Sequence, residues 1–358
     1  MTDINLIESI TTAFGPSGFE DDVLDVIKDN LKDFSIETDS MNNLFARIKN
    51  NSDKPYTVLL DAHTDEVGFM VQSILDNGTL MFVPLGGWVA TNIPAHLVGI
   101  KNIHGEIVEG ITGSTPPHFM SEEERKRPLS IDSMFIDIGA KSRKEVIEDF
   151  GIDVGAPVAP LVDFRHDAKR NLMRGKAFDN RLGCCSIIET LKRIKDSKNL
   201  NVNVVGGFAA QEEVGMRGAK ITSTKVKPDL AILFEGSPAD DRYFPEGVAQ
   251  GTLGGGTQIR HMDQSYISSF EYIKFAKEIA NKNNIKYQSA VRRAGSTNAG
   301  AIHLSGEGVP VLVLGIPSRF VHSHYNFADI SDFEATVDLA VNVIENLDEE
   351  SIKKILKK

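Results

Sequence analysis

The alternation of continuous apolar runs with helically spaced apolar residues predicts an α/β fold. Runs such as Val58-Leu59-Leu60 are typical of strands that are buried on both faces of a sheet. The predicted strands lie near residues 43–48, 58–60, 202–210, 230–234, 250–259 and 309–316, and the main predicted helices near 180–191, 265–283 and 331–347. Ser331 and Glu334 have capping-box spacing, so the last helix is expected to begin there.

The pattern changes between residues 67 and 170, where short β-prone runs alternate with turns. Asp76-Asn77-Gly78 is typical of a tight hairpin, and His104-Gly105 indicates a second one. Ser142 and Glu145 predict one capped helix in the same stretch. Since 358 residues are long for a single core, we expect a discontinuous outer domain and an insert. The outer domain spans residues 1–66 and 171–358, and the β-rich insert spans residues 67–170.

Charge and composition narrow the class of protein. A net charge of −11 argues against a nucleic-acid surface, which needs a basic patch. No apolar run reaches the roughly 18–20 residues that span a bilayer, and the first residues do not resemble a signal peptide. Cys184 and Cys185 are adjacent, which favours reduced thiols over a disulfide framework. We therefore expect a cytoplasmic protein that binds neither nucleic acid nor membrane.

Side chains that can bind metal follow the predicted strands. Ligands bind beyond the carboxyl ends of the strands in open α/β sheets, so side chains at these positions are expected to converge. They are His63, the adjacent Glu212 and Glu213, Glu235 and His322, with Asp179 at the start of a predicted helix. Two imidazoles and several carboxylates at one edge predict a two-metal hydrolytic centre.

Several of these positions allow more than one interpretation. Asp65 is close enough in sequence to orient His63. Asp179, taken alone, is most simply a helix N-cap, and the alternative is a carboxylate that bridges two ions. His324 competes with His322, because extended geometry would place both side chains on the same side.

The adjacent residues Glu212 and Glu213 can have two different roles in one site. Two carboxylates directly after a strand that ends in Ala209-Ala210 are hard to explain as part of a core. One of them can bind metal while the other accepts a proton from water. The competing interpretation is a charged loop without a function.

Six short stretches, in order along nearly the whole chain, carry a resemblance to a known family. They are Pro16–Glu20, Ala62–Gly68, Gly175–Gly183, Gln211–Gly215, Gly295–Gly300 and Arg319–Ser323. With them the chain resembles the dinuclear-metal glutamyl or deblocking aminopeptidases, whose members are also called cellulase M or endoglucanase. The resemblance implies a mixed-sheet, zinc-exopeptidase-like catalytic domain of the α/β class. It also implies an insert that builds the oligomer, and dimers that assemble into a tetrahedral dodecamer.

The same resemblance implies an activity and a role for each residue. The activity is hydrolysis of N-terminal residues from peptides, with two divalent ions per subunit, Zn²⁺ or Co²⁺. His63 and Glu235 would hold one ion, Glu213 and His322 the other, Asp179 would bridge, Glu212 would be the general base, and Asp65 would orient His63.

Two positions depart from the family pattern and bear on the substrate. Glu235 stands where these aminopeptidases commonly have Asp, and its extra methylene changes the reach of the carboxylate. The usual Gly-Thr-Asp motif ends here in Asn298, with loss of a charge near the expected active-site edge. Arg292 and Arg293 either favour an acidic substrate side chain or form surface ion pairs.

Three other functions are weighed against the aminopeptidase. Glu235 motivates a related dinuclear dipeptidase, carboxypeptidase or amide deacylase. An endo-1,4-glucanase needs a carboxylate pair and no histidine ligands, and the single Trp88 leaves little for stacking sugars. A non-catalytic metal-binding assembly would use a closed structural site, which leaves a surplus of carboxylates unexplained.

Overall fold

The computed structural model describes residues 3–49, 53–198 and 200–357. In these ranges seventeen strands form one large sheet and one small barrel, and there are ten α-helices. The strands are β1 (Ser35–Thr38), β2 (Leu44–Arg47), β3 (Thr57–His63), β4 (Gly68–Ile74), β5 (Leu80–Leu85), β6 (Leu97–Lys101), β7 (Ile107–Ser114), β8 (Met134–Asp137), β9 (Pro157–Pro160), β10 (Arg165–Asp167), β11 (Leu172–Gly175), β12 (Asn203–Ala209), β13 (Leu230–Pro238), β14 (Thr257–Met262), β15 (Tyr287–Val291), β16 (Val311–Arg319) and β17 (Asn326–Asp329). The helices are α1 (Ile4–Thr12), α2 (Asp21–Asn30), α3 (Glu122–Lys126), α4 (Arg143–Glu148), α5 (Phe178–Ile194), α6 (Arg217–Val226), α7 (Phe270–Lys282), α8 (Ala299–Ile302), α9 (Ile330–Asn346) and α10 (Glu349–Leu356).

A mixed sheet forms the larger structure. Its strands run in the order β1-β2-β12-β3-β13-β16-β17-β11-β10, with β14 paired to β16 and β15 paired to β14. The central strands β12, β3, β13 and β16 are parallel, so their carboxyl ends lie at one edge. Val58, Leu59 and Leu60 of β3 are fully buried, as expected for a strand covered on both faces. The predicted α/β class with a mixed sheet is confirmed.

Helices cover both faces of this sheet. Residues from α5 and α9, such as Leu182 and Phe333, share one apolar core with Phe234 of β13. On the opposite face, Ala219 of α6 and Ile302 of α8 pack with the other side of the strands. Removal of this apolar surface from water stabilises the domain and fixes the edge at which the parallel strands end.

A closed six-stranded barrel forms the smaller structure. Its strands follow the order β4-β5-β8-β7-β6-β9, and all the pairs between them are antiparallel. The two predicted hairpins are confirmed: Gly78 turns between β4 and β5 with φ +88°, and Gly105 turns between β6 and β7 with φ +80°. The Ser142 hydroxyl caps α4 by accepting a hydrogen bond from the Glu145 amide at 3.2 Å. The predicted β-rich segment is therefore a barrel.

The chain passes between the sheet and the barrel twice. It enters the barrel directly after β3, through residues 64–67, and leaves it after Pro160. Strand β10, which lies inside the predicted insert, pairs with β11 in the large sheet. The division into residues 1–66, 67–170 and 171–358 remains a prediction.

The start of the last long helix differs from the prediction. Helix α9 begins at Ile330, and its N-cap is Asp329, whose Oδ1 accepts a hydrogen bond from the Ser331 amide at 2.8 Å. The capping box predicted from Ser331 and Glu334 is wrong because an aspartate two residues earlier already satisfies this end. None of the helices in the described ranges is long and apolar enough to cross a bilayer.

Candidate active site

The structure brings all the predicted site residues together at the carboxyl edge of the parallel strands. Each lies in or just after a strand of the large sheet, except Asp179, which lies in the first turn of α5. His63 ends β3, Glu212 and Glu213 follow β12, Glu235 lies in the second half of β13, and His322 follows β16. The sheet topology thus places residues that are up to 259 positions apart in sequence beside one another.

Asp179 faces both histidines, one with each carboxylate oxygen. Its Oδ1 lies 3.1 Å from His63 Nε2, and its Oδ2 lies 3.6 Å from His322 Nε2. The backbone of Asp179 is not helical although it lies in α5, and the N-cap is Ala177. The side chain is therefore directed into the cluster and does not cap the helix.

Two groups of three residues surround this carboxylate. The potential ligand atoms of His63, Asp179 and Glu235 lie within 4.8 Å of one another, and so do those of Asp179, Glu213 and His322. His322 Nε2 is 3.3 Å from Glu213 Oε2. Each group contains one imidazole and two carboxylates and shares Asp179 with the other.

Glu212 lies beside the cluster and is 9% exposed. Its Oε2 is 3.9 Å from His63 Nε2, and it forms a third close group with His63 and Glu213. The geometry therefore allows Glu212 either to bind metal or to remain free for proton transfer.

Asp65 contacts both His63 and the glutamate pair. His63 Nδ1 lies 3.1 Å from the Asp65 carbonyl oxygen and 3.4 Å from its Oδ1. The Asp65 carboxylate accepts hydrogen bonds from the amides of Glu212 and Glu213, at 2.9 and 3.1 Å. It also accepts one from the Ser17 hydroxyl at 2.6 Å. One buried carboxylate thus faces an imidazole and fixes the backbone of the loop that carries Glu212 and Glu213.

Glu20 holds the same loop from the other side, which the sequence did not reveal. Its Oε1 accepts hydrogen bonds from the amides of Gly18 and Gln211, at 2.7 and 3.2 Å. Burial, together with the charge of Asp65, raises the pKa of Glu20 to about 7. The Pro16–Glu20 stretch was notable only as part of the resemblance, since no apolar pattern relates it to residue 211.

Asn180 supports Glu235 and was also missed. Its Nδ2 donates to the Phe234 carbonyl at 2.8 Å and to Glu235 Oε2 at 3.2 Å. Its Oδ1 accepts a hydrogen bond from the Gly236 amide at 3.1 Å. The longer arm of Glu235 therefore has a dedicated donor that limits its orientation.

The electrostatics of the carboxylates favour a cation at the site. Burial raises the pKa of Glu212 and Glu213 above their ordinary values, and burial together with the charge of Asp179 raises that of Glu235 to about 8. Burial would raise the pKa of Asp179 as well, but hydrogen bonds from His322 and His63 outweigh it and hold that pKa below its usual range. Crowded carboxylates of this kind are stabilised by added positive charge.

The pKa of each histidine is shifted against the effect of burial. Burial would lower the pKa of His63, but hydrogen bonds with Asp179 and Asp65 raise it well above its ordinary value. The pKa of His322 rises to about 11, against burial, because Asp179 and Glu213 stabilise the imidazolium. The surrounding carboxylates thus favour positive charge on both rings, as they would favour a bound cation.

The donor set fits divalent metal ions. The buried Glu213 Oε1 has no hydrogen-bond partner among the described residues, as expected of an oxygen that is reserved for a cation. Imidazole nitrogens and carboxylate oxygens are common ligands of Zn²⁺ and related ions.

A loop of the barrel closes over the same cluster. A Cβ atom on Gly87 would lie 3.2 Å from His322 Nδ1, and one on Gly86 would lie 3.0 Å from Glu213 Oε2. His322 itself has φ +61°, a left-handed conformation that directs its ring to the cluster. His324 lies elsewhere, with its ring stacked on His96 at 4.1 Å between centroids. The structure therefore selects His322 from the two candidates.

Asn298 does not line the metal cluster. It is buried, and its Nδ2 donates to Oδ1 of Asp61, a residue of β3, at 2.7 Å. The asparagine in place of the motif's aspartate therefore belongs to a buried hydrogen-bonded pair with Asp61. It does not remove a charge from the edge of the active site.

Comparison with known proteins gives consistent matches over nearly the whole chain. The model of the M42 glutamyl aminopeptidase family matches residues 42–339. The glutamyl aminopeptidase of Lactococcus lactis is 33% identical over 351 residues, which are 98% of each chain. A TET aminopeptidase structure from the marine sediment archaeon Thaumarchaeota archaeon SCGC AB-539-E09 superposes with a TM-score of 0.94 at 34% identity, covering 98% of this chain and 99% of that one.

A further solved structure bears on assembly. It is the TET1 peptidase of Pyrococcus horikoshii, which is described as able to form a tetrahedron or a large octahedral shell. It matches with a TM-score of 0.85 at 28% identity and covers 96% of this chain and 99% of that one. Taken with the family model and the Lactococcus relative, these matches establish that the chain belongs to the M42 glutamyl aminopeptidase family.

Proposed function

We propose that the chain is a metal-dependent aminopeptidase that removes N-terminal residues from peptides. The observation that carries the proposal is the position of Asp179, which presents one oxygen to each of two histidines. A carboxylate used in this way suits two cations about 3.5–4 Å apart, the spacing of dinuclear hydrolases. The family provides the reaction class, and this geometry provides a centre able to perform it.

The two ions, Zn²⁺ or Co²⁺, are assigned to the two groups of three residues. His63 and Glu235 would hold one ion and Glu213 and His322 the other, with Asp179 shared. In this assignment each ion keeps positions open, as catalytic rather than structural sites do. The contact between Asn180 and Glu235 supports a ligand role for Glu235.

Bound ions would polarise the scissile carbonyl and lower the pKa of a water molecule. Glu212 would accept the proton of the attacking water and deliver it to the nitrogen of the leaving amine. Its support is its place beside the cluster: its Oε2 lies 3.9 Å from His63 Nε2, and it stands outside the two groups that share Asp179. Asp65 would keep His63 and the backbone of Glu212 in place.

Replacing Glu212 with Gln tests the assignment. The amide has nearly the same shape but cannot accept the proton, so kcat should fall by about 10²–10⁴-fold while the metal content, measured by mass spectrometry, stays near two ions per subunit. Glu278→Gln, on the exposed face of α7, is the matched control and should retain full activity. Near-normal turnover of the Glu212 variant, or loss of one ion from it, would show that this role is wrong.

The second candidate keeps the cluster but changes the substrate. Glu235 and its Asn180 donor form an arm longer than an aspartate would provide, which is the feature that motivates a dipeptidase or an amide deacylase. Comparing aminoacyl anilides that carry a free or an acetylated amine separates these functions. An aminopeptidase should hydrolyse only the free amine, whereas faster hydrolysis of the acetylated substrate would favour the deacylase.

We propose that the protein assembles as a homo-oligomer, in the form of dimers arranged into a dodecamer. The assemblies described for the Pyrococcus horikoshii peptidase support it, as do exposed apolar side chains on the barrel such as Ile103 (71% exposed) and Ile111 (54% exposed). Twelve copies of the 39.2-kDa chain would have a mass of about 470 kDa by light scattering.

A cytoplasmic location is also proposed, supported by Cys184 and Cys185, which are buried and form no disulfide.

A further inference from the structure

A cavity of about 800 Å³ adjoins the metal cluster. Asp179, Glu235 and His322 line part of it, so a substrate whose scissile bond lies at the cluster can place a neighbouring side chain in this cavity. The strand end of β13 and the segment after it, residues 236–250, contribute much of the wall. The chemistry of that wall therefore bears on which N-terminal residue is accepted.

The wall carries apolar side chains that the protein itself leaves uncovered. Tyr243 is 69% exposed and Phe244 is 52% exposed, and both line the cavity. Val248 and Val291 line it as well and are 56% and 49% exposed. Exposed aromatic and branched side chains inside a concave site gain most from covering by another apolar group.

The arginines around the cavity already have partners. Arg292 Nη1 lies 2.6 Å from Asp240 Oδ2, and Arg292 Nη2 donates to the Pro238 carbonyl at 2.9 Å. Arg260, which is 4% exposed, donates to the Ser237 hydroxyl at 2.6 Å and lies 3.3 Å from Asp263 Oδ2. These guanidinium charges are offset within the protein, so they offer little net attraction to an acidic substrate side chain.

Arg293 is the remaining arginine of the cavity, and it is exposed. Solvent and salt screen a charge in that position, so a pair that it formed with a substrate would be weak. The sequence had made Arg292 and Arg293 candidates for recognition of an acidic residue. Of the two, the structure places Arg292 in an ion pair and Arg293 in solvent.

Two ion pairs also hold the aromatic wall in place. Asp240 Oδ1 accepts hydrogen bonds from the amides of Gln250 and Gly251, each at 2.9 Å, while its other oxygen binds Arg292. Next to it, Asp241 pairs with Arg319 at the end of β16. The segment that carries Tyr243 and Phe244 is thus anchored at its start to β15 and β16, and a preorganised wall costs less entropy on binding.

Resting on the aminopeptidase function proposed above, we infer that the enzyme prefers substrates with a large apolar or aromatic N-terminal side chain. That side chain would lie against Tyr243 and Phe244. Acidic and basic side chains would be disfavoured, because they would lose hydration while Arg260 and Arg292 are already paired and solvent screens Arg293.

The test is a panel of aminoacyl p-nitroanilides with the metal-reconstituted enzyme. We expect kcat/KM for the phenylalanyl and leucyl substrates to exceed that for the alanyl substrate by about 10–200-fold, with the glutamyl and lysyl substrates below leucyl. A glutamyl or lysyl substrate as the best of the panel would overturn the inference and leave the aminopeptidase function intact. Glutamyl preference that disappears in Arg293→Ala would assign recognition to that arginine instead.

Variants test whether the wall formed by Tyr243 and Phe244 contacts the substrate side chain. Phe244→Ala should reduce the ratio of phenylalanyl to alanyl kcat/KM by about tenfold, because the lost ring contributes buried apolar area only with the larger substrate. Phe270→Ala is the matched control, since Phe270 is 76% exposed and lies outside the cavity. An unchanged ratio in the Phe244 variant would contradict the assigned wall.

A binding measurement separates failure of this inference from failure of the proposed function. Calorimetry with metal-loaded Glu212→Gln should give tighter binding for phenylalaninamide than for alaninamide or the α-amide of glutamate. That order is expected even if the wild-type enzyme hydrolyses none of the anilides, which would count against the aminopeptidase function alone. The reverse order would overturn the side-chain preference.

Discussion

The Asp65 carboxylate joins three segments of the chain, because it binds the Ser17 hydroxyl and the amides of Glu212 and Glu213. The backbone carbonyl of the same residue faces His63. A single residue therefore contacts an imidazole and holds the backbone of both glutamates. The electrostatic part of this role, orientation of His63, could be suggested from sequence, but the amide contacts require the loop after β12 to turn back onto β3.

Replacing Asp65 with Asn tests this positioning role. Both carboxylate oxygens accept hydrogen bonds, and an asparagine offers one oxygen and one NH₂ group, so one amide of the glutamate pair would face a donor. We expect metal affinity or kcat to fall by about 10–100-fold, the usual effect of disturbing groups that orient metal ligands. Ser17→Ala removes only one of the donors and should have a smaller effect. Equal effects of the two variants on metal binding, followed by calorimetry, would contradict this account.

At the scale of elements, the barrel loop between β5 and β6 forms part of the active site. Gly86 and Gly87 approach Glu213 and His322 so closely that side chains there would press on the ligands. Trp88, the next residue, stacks on Phe69 in the barrel core and donates its Nε1 hydrogen bond to the Gly68 carbonyl at 3.0 Å. The barrel thus fixes the position of this loop, and the loop lies against Glu213 and His322 at the edge of the large sheet.

A methyl group at residue 87 should disturb His322. The Cβ of Gly87→Ala would lie 3.2 Å from His322 Nδ1, so the ring must move by a few tenths of an ångström. We expect about a tenfold loss of kcat/KM, since small displacements of catalytic groups are costly, with little change in thermal unfolding temperature. Full activity with unchanged metal affinity would show that the loop and the histidine are not coupled.

The segment after β16 also packs its second histidine against the barrel, and this gives a pH-dependent stability. Burial, together with the charge of His96, lowers the pKa of His324 to about 3. In the unfolded chain that pKa returns to about 6.5. Below pH 6.5 the unfolded state therefore binds a proton that the native state does not, so this histidine costs stability as the pH falls towards 3.

His324→Phe keeps an aromatic ring and removes this titration. Between pH 7 and pH 5 the variant should lose less stability than the wild type, by at most about 1.4 kcal/mol for each pH unit. The comparison is made by thermal unfolding of both proteins with chelator present, so that metal release does not contribute. Parallel pH profiles for the two proteins would contradict the assignment.

At the scale of the whole molecule, the sequence revealed which sheet edge carries the site. It did not reveal which side chains from the connecting segments line that edge. His63, Glu235 and the glutamate pair could be identified because each ends or follows an apolar run. The choice of His322 over His324 depends on a left-handed backbone and on contacts with the barrel, which leave no periodic signal. Tyr243 and Phe244 were missed for a similar reason, since the segment between β13 and β14 follows neither a helical nor a strand pattern.

Metal removal should affect the stability of the whole molecule. Four carboxylates converge on the cluster, and divalent ions offset their repulsion in the native state but have no preformed site in the unfolded chain. A free metal concentration of 1,000 times the dissociation constant would stabilise the fold by about 4 kcal/mol. Chelation should therefore lower the thermal unfolding temperature, and Zn²⁺ or Co²⁺ should restore it while Mg²⁺, which favours all-oxygen sites, should not. A melting temperature that is indifferent to all three ions would argue against the centre.

The close approach of Gly86 and Gly87 to Glu213 and His322 constrains how this architecture can be recombined. A barrel exchanged between two family members would bring a foreign loop against the ligands, so an otherwise well-folded chimera would be impaired at its active site. Exchange is expected to succeed when the loop of residues 86–96 is inherited together with the sheet that it covers. The inserted barrel is therefore both a separate folding unit and, through this loop, a wall of the active site. Neither role can be changed without affecting the other.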